Sequence, residues 1–222
     1  MEREKMLRIG WGTPFWIQIP YFVLLLNLIT FFVSPLLAQE SKLSNKDSKT
    51  LKETFRYIES LEPTRLKISK QTYSRYSNFE SFFHFNYSGK KLSRWIQSRI
   101  KNYSKGSTGD FIAYFHEGEV VLGKSFFQLT KLDRALILLH EARHADGKEY
   151  SHVPCPDNFR FLNARDLNIV PSGKKGCDAT LDGGYGLTAS FLFELGSYGF
   201  LSQSETAHRY NSEISRILAS SD

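Results

Sequence analysis

The stretch from Thr130 to Ala145 does more than any other to limit how this chain can fold. Thr130 is a candidate N-cap, with Asp133 three residues on as a short capping-box partner. Leu132, Ala135, Leu136, Leu138 and Leu139 then give a helix that is apolar on most sides. Such a helix has to be buried, so the other elements must pack around it. Gly147 is the predicted stop, since glycine tolerates the left-handed conformation used there. The polar end of this helix reads His140-Glu141-Ala142-Arg143-His144. Residues four apart lie about 40° apart around a helix axis and one turn apart along it. His140 and His144 can therefore converge on one metal ion, with Glu141 in reach of a water beside it. The plain alternative is a core helix whose end shows these groups to solvent.

A second motif favours the metal. Residues 179–186 read Ala179-Thr180-Leu181-Asp182-Gly183-Gly184-Tyr185-Gly186. Together with H-E-x-x-H this resembles the G-T-x-D-x-x-Y-G signature of the aspzincin (deuterolysin-like) zinc endopeptidases, with Ala179 in place of the first glycine. The resemblance implies a zincin-like fold. It also implies Zn²⁺ held by His140, His144 and Asp182, and a Tyr185 that hydrogen-bonds the developing oxyanion. The chain is also similar to a group of small exported bacterial proteins with an H-E-A-R-H helix. The residues allow this chemistry by themselves. A carboxylate binds Zn²⁺ at about 2.0–2.2 Å, and three protein ligands leave a fourth position for water. Asp182 and Tyr185 are three apart, so one helical turn would aim both at one site.

Two other residues compete for the third-ligand place. His152 follows His144 by eight residues, and Glu194 lies in the apolar run Ala189–Leu195. The metzincin pattern H-E-x-x-H-x-x-G-x-x-H would put its last ligand at Tyr150, two residues before His152. A metzincin also needs a methionine turn, and the only methionines are Met1 and Met6. The gluzincin pattern would use Glu194 with an aspartate four residues on, where Tyr198 stands. Asp182 is the first choice, His152 the second and Glu194 the third. With Asp182 as ligand, His152 becomes a loop histidine on the rim of the site.

The two cysteines, Cys155 and Cys177, both fall between the motifs, at a spacing that fits no C-x-x-C zinc pattern. A disulfide between them would close a loop of about 20 residues, stabilise by about 3 kcal/mol, and carry Asp182 back toward the helix. Two unrelated buried thiols are the alternative. An exported chain favours the bridge, and the N-terminus points to export. Arg3, Lys5 and Arg8 precede an uncharged stretch, most apolar from Tyr21 to Leu37. Residues 1–38 read as a secretory signal cut after Ala38, or as a membrane anchor through residues 17–38. Either places the rest in the periplasm, on the cell surface or in the medium. Residues 39–50 form a Ser/Lys-rich flexible link, and residues 51–222 suffice for one domain with its own core.

The predicted fold class is α+β, mainly helical, with a β-hairpin beside the buried H-E-x-x-H helix. Helices are expected at about Asp47–Leu61, Lys90–Tyr103 and Ser204–Leu218, with an apolar run at Leu187–Leu201. Phe111–Phe115 and Val120–Phe127 read as strands joined across His116-Glu117-Gly118, while residues 64–87 give no clear signal. The net charge of +6 and pI near 9.2 invite a nucleic-acid reading. However, most of Lys90, Lys91, Arg94, Arg99, Lys101 and Lys105 fall opposite one helix's apolar stripe, which fits a solvated face and no nucleic acid. The expected activity is hydrolysis of peptide or protein amide bonds by a metal-activated water, with Glu141 as general base. Two non-enzymatic alternatives stand beside it. One is an exported protein stapled by a structural zinc and a disulfide; the other is a surface adhesion or host-interaction protein.

Overall fold

Caps and burial decide where the helices of this chain begin and end. The computed structural model describes residues 41–163, 169–171 and 176–218. Its helices are α1 (Asn45–Ser60), α2 (Lys70–Tyr76), α3 (Phe79–Phe83), α4 (Gly89–Arg99), α5 (Lys131–His144), α6 (Gly184–Ser197) and α7 (Gln203–Ile214). Side chains of Ser44, Ser69, Ser88, Thr130 and Ser202 each accept the N–H three residues on, capping α1, α2, α4, α5 and α7. At α5 the Thr130 hydroxyl also donates to the Asp133 carboxylate at 2.6 Å, as the sequence predicts.

Helix α5 lies at the centre, packed against α1, α4, α6 and one strand of a small sheet. Leu138, Leu139 and Ala142 are fully buried there. They meet a core to which α1 gives Ile58, α4 gives Leu92 and Ile96, and α6 gives Leu187, Phe191, Leu192 and Leu195. Arg134 is buried within this core, and it is satisfied by the Thr54 hydroxyl at 2.8 Å and the Leu129 carbonyl at 2.6 Å.

The sheet has the order β1-β2-β4-β3, built from β1 (Ser41–Lys42), β2 (Asn102–Lys105), β3 (Ala113–His116) and β4 (Glu119–Leu122). β2 runs parallel to β4, and β3 runs antiparallel to it as a hairpin. Glu117 and Gly118 at its tip have φ of 47° and 88°. A two-residue turn matched to strand twist needs positive φ at both central positions. β3 is one of the two edge strands, and it is the strand that lies against α5. Two further antiparallel pairs, β5 (Val153–Pro154) with β8 (Gly176–Cys177) and β6 (Arg160–Leu162) with β7 (Ile169–Pro171), follow α5.

The α+β class, mainly helical with a hairpin beside the buried helix, is therefore what the chain adopts. Some boundaries differ from expectation. The helix predicted over Lys90–Tyr103 ends at Arg99, Ile100 turns extended, and Asn102–Lys105 becomes β2. Pairing along β4 supplies hydrogen bonds that local helix propensity does not outweigh. The second strand stops at Leu122, and Phe126–Gln128 forms a 3₁₀ turn. Helix α5 ends at His144, three residues before Gly147. Residues 64–87 hold α2 and α3, whose Phe79 and Phe83 stack with ring centroids 4.2 Å apart. The leader and tether read over residues 1–38 lie outside the described residues, as does the start of the link. No described helix is long and apolar enough to cross a membrane.

Candidate metal centre

Three imidazoles meet at the C-terminal end of α5. His140 and His144 come from the helix, one turn apart. His152 comes from the segment that leaves the helix and returns through a 3₁₀ turn at Lys148–Tyr150 into β5. One nitrogen from each ring lies within 4.8 Å of the others, and the Nε2 atoms of His140 and His152 are 3.0 Å apart. This is the only such group of three metal-ligating side chains among the described residues.

The outward nitrogens show what the inward ones can do. His152 Nδ1 faces the Asp178 carboxylate at 2.8 Å, and His144 Nδ1 faces the Tyr150 carbonyl at 2.8 Å. The Nδ1 side of His140 lies against Gly184, whose carbonyl accepts from the ring. Carboxylates and carbonyls only accept, so each outward nitrogen carries a proton, and in a neutral ring that leaves the inward Nε2 as a lone-pair atom. Burial, then the neighbouring rings His144 and His152, hold His140 well below the usual histidine range, so it is neutral. Burial followed by His152 lowers His144 as well.

Two neutral rings facing each other through Nε2 atoms 3.0 Å apart would have no proton to share, and a cation between them removes that conflict. A zinc ion about 2.1 Å from each nitrogen would separate tetrahedral ligands by about 3.4 Å, near the 3.0 Å between His140 and His152 and within the span of the three rings. The donor set thus fits a metal, and the carboxylate or carbonyl behind each imidazole is the usual support for a metal-bound histidine.

Asp182, the first-choice third ligand, is not part of this cluster. It precedes α6 in a turn, so it never shares a helical turn with Tyr185. Its side chain is 41% exposed and pairs with Arg143 at 3.4 Å, while its carbonyl accepts from Arg143 Nε at 2.8 Å. His152, placed second by sequence, stands where Asp182 was expected. Glu194 is fully buried elsewhere, accepting from Tyr73 and Ser77 hydroxyls at 2.7 and 2.6 Å.

The acid that does serve the site is Asp178, four residues earlier and 2% exposed. Its Oδ1 holds His152 and its Oδ2 accepts the Tyr185 backbone N–H at 2.7 Å. Only the adjacent Cys177 signalled it in sequence. The Cys155–Cys177 disulfide is formed, and Val153 pairs with Cys177 across β5 and β8. The bridge therefore delivers Asp178 to His152. The glycine pair also gains a reason: a Cβ on Gly184 would lie 2.7 Å from the His140 ring, and one on Gly183 would collide with the Asp178 carboxylate. Tyr150 sits where a metzincin would place its ligand, and here its backbone carbonyl braces His144 while its ring covers Arg143 at 3.5 Å.

Glu141 and Tyr185 share the cluster's cleft, an opening of about 1460 Å³ that also reaches β3 and α7. Glu141 is 7% exposed. Burial pushes its carboxyl up to about 7, opposed by the Phe115 backbone N–H that donates to it from β3. The Tyr185 ring packs against His140 and His152, with centroids 4.6 and 5.1 Å away. Burial raises its phenol, with the Arg216 charge opposing, so it stays a proton donor at neutral pH. Sequence reasoning did not find Arg216, because it lies far along the chain in no motif. Compared with known proteins, the chain matches no family model, no curated protein and no solved structure.

Two expected results follow from this support. Asp178→Asn leaves the volume unchanged but replaces the charge behind His152, and metal affinity should fall about 10- to 100-fold in a dye-competition titration. Replacing both cysteines by serine opens a loop with a sequence separation of 22. That should cost about 3 kcal/mol in a urea titration, and metal affinity should fall with it because the bridge sets the His152–Asp178 pairing.

Proposed function

We propose that this chain is an exported metal-dependent hydrolase of peptide or amide bonds, with zinc as the cation its donors suit best. The observation that carries this reading is the set of three converging imidazole nitrogens beside the buried Glu141. Three histidines with a fourth position open is a ligand set that catalytic zinc sites use, and imidazole donors suit zinc. Bound there, the metal would polarise a carbonyl and lower the pKa of water toward about 7.

The chain's own groups supply the rest. Glu141 takes the proton of the attacking water and hands it to the leaving amine, a role served by a carboxyl poised near the working pH. Tyr185 donates its phenol proton in a hydrogen bond to the oxygen on which charge develops. An extended substrate adds to the outer edge of β3, beside α5, by strand pairing. In this reading the Thr180-Asp182-Tyr185-Gly186 resemblance to aspzincins accounts for Tyr185, while its acid pairs with Arg143. Export rests on residues 1–38 read as a leader, and the disulfide agrees, since such bridges persist in oxidising compartments.

The test is metal analysis of the purified protein combined with X-ray absorption at the metal edge. One zinc per chain, bound by three imidazoles and an exchangeable water, supports the reading. So does chelator-sensitive cleavage of a fluorogenic peptide library that zinc restores. A folded protein that binds no zinc overturns it. Four protein ligands around the metal would replace it with a structural zinc site.

A further inference from the structure

The cleft has a second end, and one cation dominates it. Arg216 follows α7 and is held on several sides. Its guanidinium carbon sits 3.8 Å over the Phe161 ring of β6, and its NH1 donates to the Tyr185 hydroxyl at 3.3 Å. Its backbone carbonyl accepts the Asp178 N–H at 3.1 Å, and Leu218 N–H returns to the Asp178 carbonyl at 2.9 Å. The segment carrying Arg216 is thus hydrogen-bonded to the residue that orients His152 and α6.

A fixed guanidinium normally finds a carboxylate. Among the described residues none lies within ion-pair distance of Arg216, whereas Arg209 in the same cleft is paired with Asp133 at 2.6 Å and Glu205 at 3.1 Å. The nearby Glu213 carboxylate accepts instead from the Thr188 hydroxyl at 2.7 Å. Burial pushes the Glu213 carboxyl up, with the Thr188 hydroxyl and the Arg216 charge opposing, so Glu213 feels Arg216 through space without a contact ion pair. Among the described residues the Arg216 side chain makes one hydrogen bond, so it lines an open cleft with donors to spare.

We infer that Arg216 recognises a carboxylate on the substrate, so that the cleft selects acidic peptides or free C-termini close to the cleaved bond. This rests on the hydrolase reading for the word substrate. The guanidinium carbon is 5.2 Å from the Tyr185 ring centroid, and that ring is 5.1 Å from the His152 ring. A carboxylate on Arg216 therefore lies within roughly three residues of a bond placed at the histidines, at about 3.5 Å of chain per residue. The planar fork of arginine matches a carboxylate in two parallel hydrogen bonds, and stacking on Phe161 keeps that fork in one plane.

The experiment measures binding to the zinc-loaded full chain by calorimetry, with three acetylated tripeptides as probes. These are tri-alanine with a free C-terminus, its C-terminal amide, and the amide with one alanine replaced by glutamate. Chromatography of the same mixtures reports hydrolysis separately. At least one acidic probe should bind about ten-fold or more tighter than the neutral amide. The arm that does so tells a terminal carboxylate from a side-chain one. Arg216→Gln should abolish the preference with zinc content unchanged, and Arg216→Lys, which keeps charge but loses the fork, should reduce it.

Equal binding of all three probes to the wild type overturns the inference. So does a preference that survives Arg216→Gln, because the metal alone would then be reading the carboxylate. If Arg216→Gln fails to fold by circular dichroism, an undiminished preference in Arg216→Lys overturns it as well. Acid preference without any hydrolysis keeps the role of Arg216 and removes the hydrolase. Hydrolysis without acid preference does the reverse.

Discussion

His152→Ala should strip the protein of its metal, while Asp182→Ala should leave metal binding nearly unchanged. Structural zinc sites bind with about 10–16 kcal/mol in total, so one ligand of three or four is worth roughly 3 kcal/mol or more. A loss of that size is at least about 100-fold in affinity. Deleting the imidazole also strands the Asp178 carboxylate, which is 2% exposed and keeps, among the described residues, only the Tyr185 N–H as a donor. Asp182→Ala removes a half-exposed partner of Arg143, which still has Asp146 at 2.8 Å. Competition with a chromophoric chelator reads both variants. Equal affinity of His152→Ala and wild type would remove His152 from the metal site, and the reverse ranking would restore the acid of the second motif.

Glu141→Gln should retain zinc and lose hydrolysis by about 10²- to 10⁴-fold, the usual worth of a positioned general base. The substitution is isosteric, and its amide oxygen can still accept the Phe115 N–H, so α5 and β3 keep their contact. The pH profile gives an independent readout. A base must be deprotonated to act, so wild-type activity should fall as pH drops through the Glu141 pKa. Burial places that pKa at about 7, and the field of a bound cation lowers it, so the acid limb should lie at or below about 7. The residual activity of Glu141→Gln should lack that limb. Full activity in the variant would take Glu141 out of the chemistry.

What the sequence disclosed depended on how far apart the cooperating residues lie. Helix α5 was legible because its cap, apolar surface and histidine pair are all local, within one segment. The hairpin was legible from two apolar runs around a Gly-containing turn, and the bridge from two cysteines behind a segment that reads as a leader. The third ligand was not. The i,i+3 spacing of Asp182 and Tyr185 suggested a shared helical turn, yet α6 starts at Gly184 and leaves Asp182 outside it. Likewise β2 could not be told from a continuing helix, because its hydrogen bonds go to a strand more than a dozen residues away.

The double duty of Asp178 reaches beyond this one geometry. Its two oxygens tie a ring nitrogen on one segment to the first turn of α6 on another. Changes at His152, Asp178 and Tyr185 are therefore coupled, and their effects on the site should combine far from additively. Any lineage, or any engineer, altering one of the three inherits a constraint on the other two. The arrangement is open to epistatic steps and closed to independent ones.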